Sequence, residues 1–322
     1  MIEADGIRVL EPEEWTRELS RAGIPFRFSQ RADAVIAFER AFPEYDGRLF
    51  EVSYSDGARA LFPGVIARRG LAALSSFLGM PLGLEGTPIP LHGQLTAQHV
   101  SQFFRSIAGI GALRITGGAG GSPPPLGRVR ASSTHVLDLT PGFEALWQRR
   151  FSGKNRNACR KAEKHGVTVT RQASPEGAEL YYDLYVRATR AWGYAKAPYP
   201  KALFQALAAS AHVEFWLAVR QNAVISGAIL LLGSEDALYW SGAMDRECAD
   251  ISPSNLVLRV AIESACRRGL RSMDFGASEG LPGVQRFKES FGATPRPFQS
   301  IGLATPGNRV AEAITAVLRR AR

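Results

Sequence analysis

The chain carries 33 arginines and only six lysines, so the place of each lysine is informative. Lys288 is the only lysine in the last 121 residues. A lysine in so arginine-rich a chain suits a site that needs a compact point charge rather than a planar fork. Arg190, Trp192, Tyr194, Lys196 and Tyr199 form a dense basic and aromatic loop. Guanidinium and ammonium groups hold phosphate, and aromatic rings stack on a base or a sugar. Asp274 closes a strand-like segment before Gly276, where a carboxylate can orient an acceptor amine, help take its proton or simply cap the loop. Asp245 follows another such segment and can bind an amine or make a turn. Tyr239 and Trp240 alternate along that strand, so only one of them can face a cleft while the other joins the core. Residues 149–171 hold eight basic side chains against one acid, Glu163. Lys154, Arg156, Arg160, Lys161 and Lys164 within it can attract nucleic acid, phosphorylated ligands or an acidic lipid surface, or simply form a solvated helix face.

The elements that must carry these residues divide unequally. Residues 1–145 hold 14 arginines, no lysine and 15 acids, a net of −1, whereas 146–322 hold 25 basic and 15 acidic residues, a net of +10. The first part reads as helices over 11–22 and 31–42, then a hairpin of 48–54 and 58–69 about Asp56-Gly57. A Gly- and Pro-rich loop over 71–90, a helix over 96–108 and a strand over 112–116 follow. The breaker cluster GGAGGSPPPLG at 117–127 and a strand over 133–139 lead to an expected domain boundary near 140. In the second part Ser152 caps a helix to Lys164, ended by Gly166, before a strand over 167–171. Ser174-Pro175-Glu176 starts a helix to about 191, with another near 200–210. Strands over 213–220, 223–232 and 236–244 form a meander; a helix over 254–268 and a strand over 271–276 follow. A basic amphipathic helix is expected over 308–321. Helix, strand, two helices, a three-strand meander, helix and strand is a mixed α/β order.

That order is the order of a GNAT-type acyltransferase core, and three segments resemble the FemABX peptidyltransferases and their GNAT relatives. FSGKNRNACRKAEKHGVTV at 151–169 resembles the K-x-R-x-x-x-R-K-A-E-K-x-G-V entry of that family. Residues 224–276 give the strand with an internal glycine, the Tyr-Trp strand, the Ser-Pro helix and RGLRSMDFG. VQRFKESFGA at 284–293 is similar to the terminal F-K-x-x-F-G signature. The first half matches more loosely, through PLGLEGTPI at 81–89. The resemblance implies two GNAT-like domains side by side, each a mostly antiparallel mixed sheet flanked by helices: a degenerate one over 1–145 and one over 146–322 that carries the signature. It implies an N-acyltransferase that moves an aminoacyl group from aminoacyl-tRNA, or an acyl group from acyl-CoA, to an amine of a cell-wall, polysaccharide or peptide precursor. In such an enzyme Lys288 stabilises the oxyanion of the attacked carbonyl and Phe287 shapes the site beside it. Arg190, Tyr194 and their neighbours then occupy the acceptor-binding loop.

The chain departs from the resemblance in two ways. No sustained heptad provides the coiled-coil arm of some Fem proteins. The Gln/Arg-x-x-Gly-x-Gly/Ala loop of CoA-dependent GNATs is replaced by DRECADISPSN at 245–255, which has no glycine. Acyl-CoA is therefore the second choice of donor, and a non-catalytic GNAT-like protein that binds polyanions through 149–171 is the reading from another class.

The remaining signals are exclusions. The five histidines are scattered, and Cys159, Cys248 and Cys266 form no CxxC pair, so neither a zinc site nor a tightly bound cofactor is expected. The opening MIEADGIRVLEPEEW has no basic n-region or apolar h-region. No signal peptide is expected, and three reduced thiols in a cytoplasmic protein, at the inner membrane surface if the acceptor is lipid-linked, fit that reading.

Overall fold

The computed structural model describes residues 2–67, 76–117, 127–172, 175–278 and 280–308. The expected C-terminal helix, most of the 117–127 breaker cluster and the capping Ser174 lie outside them. The chain forms two compact units, Met1–Ser132 with Pro297–Arg322, and Ser133–Arg296. This differs from the expected cut at 145/146 in two places, and strand pairing is the reason. Thr134 to Asp138 pair with the strand at 272–277, which keeps them in the second unit. Gln299 to Ala304 pair with Ala112 to Gly117, which returns the chain to the first.

In the first unit β1 (Ala4–Val9) precedes α1 (Pro12–Arg21), α2 (Ala32–Ala41), β2 (Tyr45–Tyr54) and β3 (Arg59–Ala67). β4 (Phe77–Gly79), β5 (Ile89–His92), α3 (Ala97–Ser106) and β6 (Ala112–Gly117) follow. The expected loop at 71–90 thus contains β4 and the start of β5. The strand order is β1-β2-β3-β4-β6, and the late strand β13 (Thr294–Ala304) lies on β6. Phe50, Phe62 and Phe103 meet at the centre of its core, with Phe62 stacked on Phe103 at 4.0 Å. His99 is structural. Its Nδ1 accepts from the Thr96 backbone N–H at 3.1 Å, and its Nε2 meets Asp56 at 3.0 Å.

The second unit begins within β7 (Arg128–Asp138) and continues through α4 (Phe143–Arg149), α5 (Gly153–Lys164), β8 (Thr168–Gln172), α6 (Pro175–Ala191) and α7 (Lys201–Ala208). Then come β9 (Val213–Arg220), β10 (Ala223–Leu232), β11 (Asp236–Met244), α8 (Pro253–Arg267), β12 (Ser272–Ala277) and α9 (Pro282–Glu289). The sheet order is β7-β12-β11-β10-β9-β8. β11 and β12 are parallel, and the other neighbours are antiparallel. The Ser152 hydroxyl accepts from the Asn155 amide at 3.1 Å and so caps α5, while Gly166 supplies the positive φ (74°) beyond its end.

α5 and α8 cover one face, burying Cys159, Leu256, Ile262 and Phe275 with their neighbours. α6 covers the other face and approaches β10 closely at Gly227. A Cβ there would meet the Tyr181 ring at 2.9 Å, the Trp216 carbonyl oxygen at 3.0 Å and Leu217 at 3.1 Å. Tyr181 is fully buried and its hydroxyl pairs with Ser241 at 2.8 Å, so it cannot give way without breaking that bond. Gly227→Ala is therefore expected to cost about 1–3 kcal/mol through overpacking, read as a lower midpoint in denaturant. An unchanged midpoint would show that α6 can shift freely on the sheet.

Candidate active site

The site arises where two parallel strands stop pairing. β11 and β12 are in register at Asp236/Ser272, Ala237/Met273 and Leu238/Asp274, and the pairing goes no further. A bulge between β10 and β11 at the same level sets Tyr239 opposite Leu230 and Ser241 opposite Ile229, leaving Trp240 as the extra residue. Tyr239 turns toward the α8 face, edge-on to Phe275 at 5.9 Å. Its ring lies along the strand over Gly242, where any Cβ would overlap the phenol. Trp240 turns the other way, into a stack with Tyr199 at 5.4 Å and beside Phe204 at 6.0 Å.

The separation opens a cavity of about 480 Å³. Tyr239 and Gly242 line it from β11, Trp192 from the end of α6, Phe287 from α9, Ser254 and Asn255 from the first turn of α8, and Arg246 from the turn between β11 and α8. Loss of water around Tyr239 pushes its phenol up to about 12. The phenol is therefore neutral and a proton donor at pH 7.

Phe287 is held by a chain of polar contacts that sequence reasoning did not find. The Ser290 hydroxyl donates to the Phe287 carbonyl at 2.6 Å. The Asn155 amide donates to that hydroxyl at 2.9 Å, and Asn255 donates to the Asn155 side-chain oxygen at 3.0 Å. Asn155 is buried in a helix that otherwise reads as charged. Its place three residues after the capping Ser152, in line with Cys159 and Ala162, was the available signal.

Lys288, one residue on, is buried. Its Nζ donates to the carbonyls of Gly276 at 2.7 Å and Ala277 at 2.8 Å, at the end of β12. The ammonium thus fixes the strand end that has parted from β11, and Phe287 beside it faces the cavity.

The other expected residues divide. Asp274 lies on the opposite sheet face from Tyr239, because its neighbours Met273 and Phe275 fill the α5/α8 core. Its carboxylate accepts from the Thr134 hydroxyl and from the Gly276 amide at 2.7 Å, so it shapes the turn and is not beside the cavity. Trp240 and Tyr199 are packed on each other rather than turned to the cavity. Trp192 and Tyr194 are about half exposed, at 55% and 52%, and Arg190 and Lys196 are exposed around them. The Asp245 carboxylate accepts from the Glu247 amide at 3.1 Å and caps the short 3-10 helix Arg246–Ile251. On α5, Arg156 donates to the carbonyls of Trp147 and Phe151 at the end of α4, which makes it a structural cation. Lys161 donates to the Asp250 carbonyl at 2.6 Å, and Arg160 lies over the Trp147 ring at 5.7 Å. Lys154 and Lys164 are exposed.

Among the described residues no three His, Cys, Asp or Glu side chains cluster as metal ligands, and no helix is long and apolar enough to cross a membrane. Burial raises the Cys159 thiol to about 12 and the Cys266 thiol to about 11, and also lifts Cys248. None of the three is a thiolate at neutral pH.

Residues 149–289 match the family model described as an acetyltransferase (GNAT) domain. No curated protein matches the chain in sequence. Among solved structures, FemX is similar at TM-score 0.64 and 12% identity, over 91% of this chain and 96% of FemX. The C-terminal domain of an Agrobacterium fabrum protein assigned as a lysylphosphatidylglycerol synthetase is similar at TM-score 0.56 and 12% identity, over 94% of this chain and 96% of that one. A tandem GNAT protein from the clavulanic acid biosynthesis pathway is similar at TM-score 0.54 and 12% identity, over 94% and 98% of the two chains. The chain therefore has the tandem GNAT fold, and the acetyltransferase (GNAT) domain match falls within its second unit.

Asn155 ties three elements to the wall of the cavity. Asn155→Ala is expected to cost about 1–3 kcal/mol, because Asn255 and Ser290 lose a buried partner. Paired denaturant curves of the variant and the parent read this directly, and identical curves would show that water replaces the amide at no cost.

Proposed function

We propose that this protein is an N-acyltransferase that moves an aminoacyl group from aminoacyl-tRNA to the amine of a phosphate-bearing acceptor. The observation that carries the acyltransferase part is the cavity at the parting of β11 and β12, walled by Tyr239, Phe287 and Trp192. An ester carbonyl laid against the open edge of β11 meets polar backbone groups on one side and apolar rings on the other. The nitrogen lone pair of the acceptor attacks the carbonyl carbon and a C–N bond forms. The C–O bond to the ribose breaks, its oxygen leaves with a proton, and the nitrogen gives up one proton.

Tyr239 is the proton donor of the site. A neutral phenol at the floor of the cavity can hydrogen-bond the oxygen that gains charge, and a dry setting strengthens that bond. Lys288 adds positive charge at the root of the parting. Its fixed position beside Gly276, which borders the Tyr239 carbonyl, keeps it ready without reorganisation.

The donor is supported by likeness and by the turn after β11. FemX and the lysylphosphatidylglycerol synthetase domain share the fold, and the latter's name joins an amino acid to a lipid. Lys154, Arg160 and Lys164 offer an exposed basic face for tRNA phosphates, and Arg190, Tyr194 and Lys196 are exposed in the segment around Trp192, which lines the cavity. Acyl-CoA is the second reading, favoured by the acetyltransferase family match and by the reach of the cavity to the first turn of α8. In that case the bond that breaks is C–S.

The test is mass spectrometry of amine acceptors incubated with charged tRNA or with acyl-CoA. A mass gain of one amino-acid residue with charged tRNA alone is expected; a gain with acyl-CoA alone replaces the donor, and no gain from either removes the reading. Tyr239→Phe is expected to lower kcat about 100-fold with KM little changed, as loss of one such donor does. Unaltered turnover would take the phenol out of the chemistry.

Lys288→Met is expected to lose turnover and also stability, on the order of 2–4 kcal/mol, since two carbonyls lose a charged donor. Full stability with lost turnover would instead mean that the ammonium acts on the substrate alone.

A further inference from the structure

A second hollow, of about 460 Å³, adjoins the acyl cavity. Arg187, Ala191, Met244, Asp245, Arg246 and Glu247 line it, and Ala191, Met244 and Arg246 line both hollows. Its walls come from α6 on one side and from the end of β11 and the turn beyond on the other.

Two features limit what this hollow can bind. The first is that several of the turn's backbone amides are already in use. The Glu247 amide donates to the Asp245 carboxylate, the Cys248 amide to the Asp245 carbonyl at 3.1 Å, and the Ser252 amide to the Ala249 carbonyl at 3.2 Å. Asn255 N–H likewise donates to the Ser252 carbonyl at 3.2 Å. These amides are not available to cradle a phosphate. Recognition falls mainly to side chains.

The second is the charge of those side chains. Two guanidiniums and two carboxylates line the hollow, over the apolar Ala191 and Met244. Arg187 spends one of its five N–H groups on the Val224 carbonyl, at 3.2 Å. A simple anion entering this space would meet two carboxylates, and a simple cation two guanidiniums. A molecule that carries both signs a few bonds apart is complementary to all four.

We infer that this hollow holds the acceptor, and that the acceptor is a small zwitterionic amine: an ammonium group within a few bonds of a phosphate or carboxylate. Arg187 and Arg246 take the anionic group in charge-assisted bonds, and Asp245 and Glu247 take the ammonium and accept the proton it must lose before its lone pair can attack. Arg246 stands at the junction of the two hollows, where it sets how far the amine lies from the acyl carbon. The acceptor role rests on the acyltransferase reading above; the zwitterion site does not.

Calorimetry on the full chain tests the site, with O-phosphoethanolamine, ethanolamine and inorganic phosphate as probes. O-phosphoethanolamine is expected to bind at least about tenfold more tightly than either single-charge probe, and Arg187→Gln, Arg246→Gln and Glu247→Gln each to weaken it about fivefold or more. Arg267→Gln, an exposed change at the far end of α8, leaves the affinity as it was. Equal affinity for phosphate and O-phosphoethanolamine, with Glu247→Gln tightening both, overturns the assignment in favour of a donor-phosphate site. Failure of O-phosphoethanolamine to bind at millimolar concentration, or binding indifferent to both arginines, overturns it outright. The mass-spectrometric transfer assay is run in parallel. Transfer unaffected by Arg187→Gln and Arg246→Gln sinks this site and spares the acyltransferase reading, whereas zwitterion binding without any transfer sinks only that reading.

Discussion

The second unit is organised around a buried ammonium. Lys288 Nζ is bonded to two successive carbonyls at the end of β12, just where that strand has left β11. Those carbonyls belong to a partly buried strand end with no β11 neighbour, and the lysine supplies the donor that the missing strand does not. An unsatisfied buried carbonyl is costly, and a charged donor offsets more of that cost than a neutral one. The clamp therefore lets two parallel strands separate without unravelling, and the cavity exists because they do. Gly276, with φ of 71°, turns the chain there, and Asp274 secures the turn from the other face by accepting the Gly276 amide.

A second layer of polar contacts sets the cavity walls. Phe287 on α9 and Asn255 on α8 come from opposite ends of the sequence segment, and Asn155 on α5 links them through Ser290. A fully satisfied buried network of this kind gives one arrangement rather than several. Its cost is justified by position rather than by stability, since apolar packing would serve stability as well. Trp192, half exposed at the end of α6, has no such anchor, which suits a wall that must let ligands in.

Much of this was legible from the amino acids, and the exceptions have physical causes. The meander, α5 with its Ser152 cap and α8 with its Ser-Pro start showed in periodicity and capping residues, which are local. The alternation of Tyr239 and Trp240 was legible too, but not which one faced the cavity, since a bulge in the pairing with β10 decides that. Lys288 stood out in sequence as an unusual lysine within the F-K-x-x-F-G resemblance, but its clamp did not; the carbonyl partners lie 11 and 12 residues away and depend on where β12 ends. Asp274 could be read either way, because a strand-end carboxylate beside a glycine looks the same whether it faces a cleft or ties a turn; here it ties the turn. The domain cut failed for a similar reason. β13 pairs with β6, nearly 200 residues earlier, and no local pattern announces such a return.

The turn after β11 shows how one local choice redirects chemistry. A glycine-rich loop leaves its amides pointing outward at a helix start, which is an anion site made of backbone. Here 245–255 has no glycine, and Asp245 draws the chain into a 3-10 helix whose amides bond internally. Several amides of the turn are thereby withdrawn from a ligand, and the hollow beside it is lined by Arg187, Arg246 and two acidic neighbours. Side chains read charge pattern where backbone reads only negative charge. In the proposed reading, a chain that makes this exchange keeps the cavity beside β11 and places both signs of charge at its border.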